Sequence, residues 1–277
     1  MEPDEEADPL DWRGRPVRCR ECAHLTLNRE GLCAKGRACI RDRRARRVER
    51  FLSGHRGLAD AYLDHPYFEV RAAAARYASI FRLPALLDDP EPEVRGAAAA
   101  RLPLDRIGAL AEDPEIHVRL VVAHRIAGNA LVAMLSDPAY QVRLAVVRRM
   151  PSDLLPLVMR DPDPEVRTWV ARRLPVGCLP DMAFDADPLV RLEVAQRLPL
   201  AQLHLLAQDS DLRVRFAVAE RIAEEELAPF LHDAEPLIRE VARERIARVP
   251  ALAARLLGVA TILPFHGADT AERRDER

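Results

Sequence analysis

The sequence predicts an all-α solenoid of about eight 24-residue units behind a small cysteine-bearing domain, and three observations predict it. The first is a strict period. Val-Arg, once Ile-Arg, recurs at Val70-Arg71, Val94-Arg95, Val118-Arg119, Val142-Arg143, Val166-Arg167, Val190-Arg191, Val214-Arg215 and Ile238-Arg239. A constant period of this size marks units too small to bury their own apolar face, which stack on their neighbours instead. The second is helical spacing of apolar residues within each unit, with none of the sustained two-residue alternation that marks strands. The third is that four of the 5 cysteines fall between Cys19 and Cys39, in a segment with almost no apolar core of its own.

In chain order, residues 1–12 (MEPDEEADPLDW) carry too little apolar matter to fold and read as an acidic disordered tail. Residues 13–50 form the cysteine domain, so short that a bound inorganic centre must supply the missing stability. A helix from Arg44 to Leu63 leads into the array, with 51–64 as the connecting stretch, and residues 65–256 hold the eight repeats. One unit runs from Asp89 to Glu112. Asp89 reads as its N-cap and Pro90 as its first helical residue. Val94, Ala97, Ala98 and Leu102 share one apolar face, and Pro103 stops the helix after about ten or eleven residues. The rest of the unit keeps Ile107 and Leu110 three apart, as do Leu131/Met134, Leu155/Val158, Leu179/Met182, Leu203/Leu206 and Leu227/Phe230. That spacing suits a 3₁₀ turn at least as well as an α-helix. The core register of Ala97 varies in size, and its Trp169 reads as a filler opposite a small neighbour. Residues 257–265 are expected to cap the last unit, and 266–277 to form a second disordered tail.

Cys19-x2-Cys22-x10-Cys33-x5-Cys39 supplies four thiolates, enough to close either a tetrahedral zinc site or a cubane cluster. Clustering of this kind points to metal or cluster ligation rather than disulfides. The spacing leaves both centres open, with zinc slightly ahead. His24 is expected beside the site rather than as a ligand, and the isolated Cys178 as a buried thiol.

The unit DPxxxVRxxxAxRLPxxxLxxL, with four cysteines upstream, resembles the leucine-rich repeat variant family over nearly all of residues 13–250. The resemblance implies alternating α and 3₁₀ helices in a right-handed superhelix without β-sheet. It also implies a 4Fe-4S cluster held by Cys19, Cys22, Cys33 and Cys39. The departures are that Ala186, Ser210 and Ala234 replace the helix-opening proline, and Ala127, Ala223 and Ala247 the helix-ending one. A 4Fe-4S core on four thiolates is net negative, and Arg18, Arg20, Lys35, Arg37 and Arg41 would offset that charge.

Eight evenly spaced arginines suggest a phosphate-binding ladder, yet six have an acid four residues earlier: Glu91, Glu115, Asp163, Asp187, Asp211 and Glu235. Such pairs favour a structural reading. Arg143 and Arg71 lack that acid, so a basic contact surface is sought at Arg143, Arg148 and Arg149, and in the run Arg43, Arg44, Arg46 and Arg47. A second ladder, from Arg101 to Arg245, ends the first helices, where a cation suits the helix dipole and can reach an Asp of an adjacent unit. Basic and acidic residues nearly balance, 42 against 44, which argues against a wholesale nucleic-acid or membrane coat. No apolar run reaches spanning length and the start lacks a secretory pattern, so the expected compartment is the cytoplasm. Phosphate loops, nucleophile elbows and metal-binding His-Glu-x-x-His are missing, so the protein is expected not to be an enzyme. The expected role is a scaffold for an unidentified protein partner, such as a redox protein, coupled to electron transfer or redox sensing. The alternative is a nucleic-acid-binding solenoid with a structural iron–sulfur or zinc site.

Overall fold

The computed structural model describes residues 9–258, and the chain divides into two compact units, 1–151 and 152–277. The calls on residues 1–8 and 259–277, including most of the proposed cap and both outer tails, lie outside the described residues. Helices carry the fold, and among the described residues the only β-type pairings are the isolated bridges Leu10–Pro16 and Ala34–Ala38.

In the first unit the helix Ala45–Gly54 and the 3₁₀ turn Arg56–Tyr62 precede the array. First helices Phe68–Ala75, Pro92–Ala99, Ile116–Ala123 and Tyr140–Arg149 then alternate with shorter second segments. In the second unit the first helices are Pro164–Arg173, Pro188–Arg197, Leu212–Ala219 and Pro236–Ala247. Between them lie the 3₁₀ segments Val176–Met182 and Leu200–Leu206 and the pair Glu224–Glu226, Ala228–His232. The i, i+3 apolar pairs explain the tight second segments: Leu179 and Leu203 are 0% exposed, Met182 and Leu206 2%. Eclipsed side chains three apart place both anchors on one edge, which a 3.6-residue turn would splay. The Val-Arg valines are fully buried in the core of each unit, Val94 and Val118 in the first and Val166, Val190 and Val214 in the second.

Several sequence expectations change. The helix does not open at Asp89 and Pro90: its N-cap is Glu91 and its first residue Pro92. Asp89 instead stays extended and accepts the Glu91 N–H on Oδ1 at 2.9 Å, a local turn that sets up the helix two residues on. Because the Pro90 register lies outside the helix, Ala186, Ser210 and Ala234 disturb no helix there. First helices are accordingly short, 8 residues for Pro92–Ala99 and 10 for Pro188–Arg197. The single lead-in helix is broken at His55, whose Nδ1 meets the Phe51 carbonyl at 2.8 Å, and Ala45–Gly54 crosses the boundary expected at residue 50. Trp169 is not a fully buried filler: it is half-buried, as are Glu193 and Val241 at its register, where only the small Ala97, Ala145 and Ala217 are buried. Trp169 lies under the Arg172 guanidinium, 5.1 Å from its ring centroid. Cys178 is half-exposed rather than buried.

The largest correction concerns the arginines. Arg95 does not pair with Glu91. Its Nε and Nη2 donate to both carboxylate oxygens of Asp113, at 2.7 and 2.8 Å, while Nη1 donates to the Asp89 carbonyl at 2.8 Å. Arg71–Asp89 and Arg119–Asp137 repeat this fork in the first unit. Arg167–Asp185, Arg191–Asp209 and Arg215–Asp233 repeat it in the second. Each acid lies 18 residues after its arginine, in the turn that opens the following repeat, so local helix spacing gave the wrong partner. The second ladder also reaches a different target. Arg101 Nη1 donates to the Ala75 carbonyl at 2.8 Å and to that of Ala78, at the C-terminal end of the preceding first helix, and reaches no Asp. Arg125, Arg149, Arg197 and Arg221 do likewise. Two sets of guanidinium bonds therefore tie successive first helices at both ends.

The Arg95 and Asp113 side chains are 11% and 3% exposed. Breaking such a pair strands a buried charge, so Asp113→Ala should lower unfolding free energy by about 3–5 kcal/mol in urea titration. Glu91→Ala should change it by no more than about 0.5 kcal/mol. Equal effects would contradict the 18-residue pairing.

Burial acts to raise the Asp89 and Asp113 carboxyls, but their arginine partners and the turn N–H outweigh it, and both end below the ordinary value. At Asp233 the Arg215 bond leads, with the same result. A depressed carboxylate contributes stability that is complete above its unfolded value, about 3.9, and is lost as pH falls through the folded one. Urea midpoints should be flat near neutrality and drop below about pH 4. A protein as stable at pH 2.5 as at pH 7 would rule this out.

Candidate metal centre

The cysteine segment is held by short local devices. Cys22 N–H closes a turn on the Cys19 carbonyl at 3.1 Å, and the five-residue helix Leu25–Arg29 follows. Gly31 (φ 73°) lies in the left-handed region that ends this helix, so Leu32 and Cys33 return their N–H groups to the Leu27 carbonyl. Asn28 Nδ2 donates to the Cys33 carbonyl at 2.9 Å. The tight turn at Gly36 (φ 77°) pairs Ala34 with Ala38 and brings Cys39 back toward the others. Cys39, 7% exposed, is anchored from behind: its N–H donates to the Arg47 carbonyl at 3.0 Å.

Cys19, Cys22, Cys33 and Cys39 are all free thiols and line one small pocket, with His24, Lys35 and Arg41 on its wall. The structure thus brings the four predicted donors together. Among the described residues no three His, Cys, Asp or Glu side chains converge as a single metal ion requires. Burial pushes the Cys39 thiol up to about 11, and Cys22 and Cys19 add to it; Cys33 is raised for the same reasons. The sulfurs are close enough to oppose one another's ionisation, a set of donors that only a bound cationic centre would hold as thiolates. The donor set therefore fits an inorganic centre.

Behind the pocket, burial and then His55 lower His24, keeping its imidazole neutral. Burial, then Cys22 and Cys39, push the Tyr62 phenol up to about 12. The hydroxyl of Tyr62 is hydrogen-bonded to His24 Nε2 and links this segment to the 3₁₀ turn that precedes the array. Sequence spacing placed His24 beside the site but gave no sign of Tyr62, which lies 38 residues further on.

The basic residues sort differently from expectation. Arg47 and Asp42 are buried and paired at 3.0 Å, so Arg47 presents no surface charge. Arg143 is buried and donates to the Asp137 carbonyl at 2.9 Å, and Arg149 is held by the Ala123 and Ile126 carbonyls. Arg44 and Arg148 also have partners. Arg43 and Arg46 remain exposed. Of the charges expected around the site, Lys35 and Arg41 line the pocket, while Arg18 turns to Glu21 at 3.2 Å. The tail reading also fails for residues 9–12. Asp11, 3% exposed, accepts two backbone N–H groups and the Arg15 guanidinium, and Trp12 stacks on Tyr67.

Comparison with known proteins follows the same two parts. Residues 9–61 match the family described as LRV protein FeS4 cluster, which implies an iron–sulfur cluster here. A protein of Rhodobacter capsulatus, named as an uncharacterised 27.7 kDa protein in the nifB 3′ region, is 49% identical over 79 residues, 28% of this chain. The match spans only 32% of that relative. The solved structure of a leucine-rich repeat variant with a novel repetitive motif aligns at a TM-score of 0.79 and 38% identity. It covers 83% of this chain and 98% of its own. The chain belongs to the leucine-rich repeat variant family, with that family's iron–sulfur cluster segment at its N-terminus.

Proposed function

We propose that the protein is a non-enzymatic, cytoplasmic 4Fe-4S protein whose repeat array docks a protein partner, coupling that contact to electron transfer or redox sensing. The observation that carries this reading is the single pocket lined by Cys19, Cys22, Cys33 and Cys39. The match of residues 9–61 to the iron–sulfur cluster family favours a cluster on these four thiols over the zinc alternative. A bound 4Fe-4S cluster supplies one-electron chemistry. Cys19, Cys22 and Cys33 are half-exposed, which would place such a centre near the surface, within reach of a redox partner. Lys35 and Arg41 would offset its negative charge. The bonds from the Cys39 N–H to the Arg47 carbonyl and between Tyr62 and His24 tie the site to the two elements that lead into the array, as a redox-sensing role requires.

Among the described residues no helix is long and apolar enough to cross a membrane. The nucleic-acid reading is weakened because Arg47 and Arg143 are buried in internal bonds and Arg149, though exposed, is held by backbone carbonyls; Arg43, Arg46 and Arg148 are the other exposed members of the candidate set.

Anaerobically purified protein should contain four iron and four labile sulfide per chain and show a reversible EPR signal on reduction. One zinc per chain and no sulfide would refute the cluster; a centre that disintegrates on reduction would leave no electron-transfer role. Alanine at any of Cys19, Cys22, Cys33 or Cys39 should abolish iron retention, whereas Cys178→Ala should keep it in full. Duplex DNA should bind weakly, with a salt slope of about 3 or less, since of the seven candidate arginines Arg47 and Arg143 are buried and Arg149 is held by backbone carbonyls. A slope near 6 that falls on Arg43→Gln and Arg46→Gln would revive the nucleic-acid reading.

A further inference from the structure

The last repeat ends the Arg–Asp series without completing it. In the second unit, Arg167, Arg191 and Arg215 each send Nε and Nη2 to the carboxylate 18 residues on. Arg239 has the same seating: Nη1 donates to the Asp233 and Ala234 carbonyls at 2.7 and 2.9 Å. The register that should supply its acid is Leu257, and Gly258 (φ 69°) turns the chain into the left-handed region. At every other such junction of this unit the turn residue is an Asp that feeds the next helix. Among the described residues, Nε and Nη2 of Arg239 therefore meet no carboxylate, while the Asp233 carboxylate is already held by Arg215.

A second feature of the same helix points the same way. Four residues after Arg239, on the same face of Pro236–Ala247, stands Arg243, exposed and with no hydrogen bond or ion pair among the described residues. Its register holds Ala171, Ala195 and Ala219 in the preceding repeats of this unit, all 0% exposed. A buried alanine there lets another repeat close against the helix; an arginine forbids that and adds a second cation beside the open fork.

We propose that Arg239 and Arg243 form a carboxylate-binding site at the C-terminal end of the array, and that its ligand is an aspartate in an acidic peptide segment of a partner protein. The ligand chemistry is read from the molecule itself. Six internal copies of this arginine take an aspartate carboxylate edge-on, with both oxygens engaged. Arg239 is held in the same pose by its two backbone acceptors, so little side-chain entropy remains to be lost on binding.

The probe is a fluorescent peptide copying residues 110–115 (LAEDPE), the internal turn whose Asp113 fills the Arg95 fork. It is titrated into the full-length protein at low salt and read by anisotropy and by the Nε–Hε resonance of Arg239. Saturable binding that shifts this resonance is expected. Replacing the peptide's aspartate by asparagine, or Arg239→Gln or Arg243→Gln in the protein, should each weaken it about tenfold, the loss of one charge-assisted contact. Arg239→Lys should weaken it comparably, because an ammonium keeps the charge but not the fork. Arg243→Gln removes no bond within the described residues, so its effect cannot be ascribed to unfolding. No saturable binding, binding indifferent to both arginines, or full binding by Arg239→Lys would overturn the proposal.

Discussion

The bidentate contact between a repeat's arginine and the aspartate of the following turn is the constraint on which the array depends. A solenoid's apolar faces fix how near neighbouring units come but say little about register, because valine, alanine and leucine pack in several offsets. The guanidinium removes that freedom. It carries donors on two edges: one grips the backbone where its own repeat begins, the other both oxygens of the next repeat's Asp, as Arg95 does between Asp89 and Asp113. An ammonium cannot span both. No lysine stands at any of these positions, Lys35 being the only one in the chain. Such buried pairs are poor sources of net stability compared with apolar contacts, and their value lies in specifying one alignment.

The same grammar explains how the cysteine segment joins the array. At the register of Asp89, one repeat earlier, stands His65, and its Nδ1 accepts the Tyr67 N–H at 3.1 Å much as Asp89 accepts that of Glu91. The turn survives but the carboxylate is gone. Arg47, at the register of the ladder arginines, pairs instead with Asp42 inside the cysteine segment. That buried pair sits next to the Arg47 carbonyl that fastens Cys39. A repeat interaction has thus been redirected to hold a ligand-bearing loop, while Trp12 covers Tyr67 and His65 from the other side.

The cysteine pocket and the array solve one physical problem in two ways. Both are chains with too little interior to fold alone. The repeats borrow interior from their neighbours, whereas the N-terminal segment, with Val17 and Ile40 as its own buried apolar side chains before the lead-in helix, would take its missing interior from the iron–sulfur cluster its family implies. The raised Cys39 and Cys33 thiols show the other side of that reliance, since neutral sulfurs at such separation gain nothing from one another.

Much of the fold was legible because its signals are local and repeated. The 24-residue period, the three-residue spacing of Leu179 and Met182, and the clustered cysteines each depend on residues close in sequence, so the repeat class, the 3₁₀ segments and the gathering of the four cysteines at one pocket could be read directly. Partners were legible only when equally local. Glu91 lies one helical turn from Arg95 and looks like its mate, but the true mate, Asp113, is 18 residues away and comes within 2.7 Å only after two repeats have stacked. Tyr62 at His24, and Trp12 at Tyr67, were likewise invisible for want of any periodic signature. Sequence by itself determined the repeat, its helical character and where the cysteines cluster, because those depend on short-range spacing. Tertiary structure alone decided which charges are spent inside and which remain to meet a partner, because burial and pairing are properties of the stacked array.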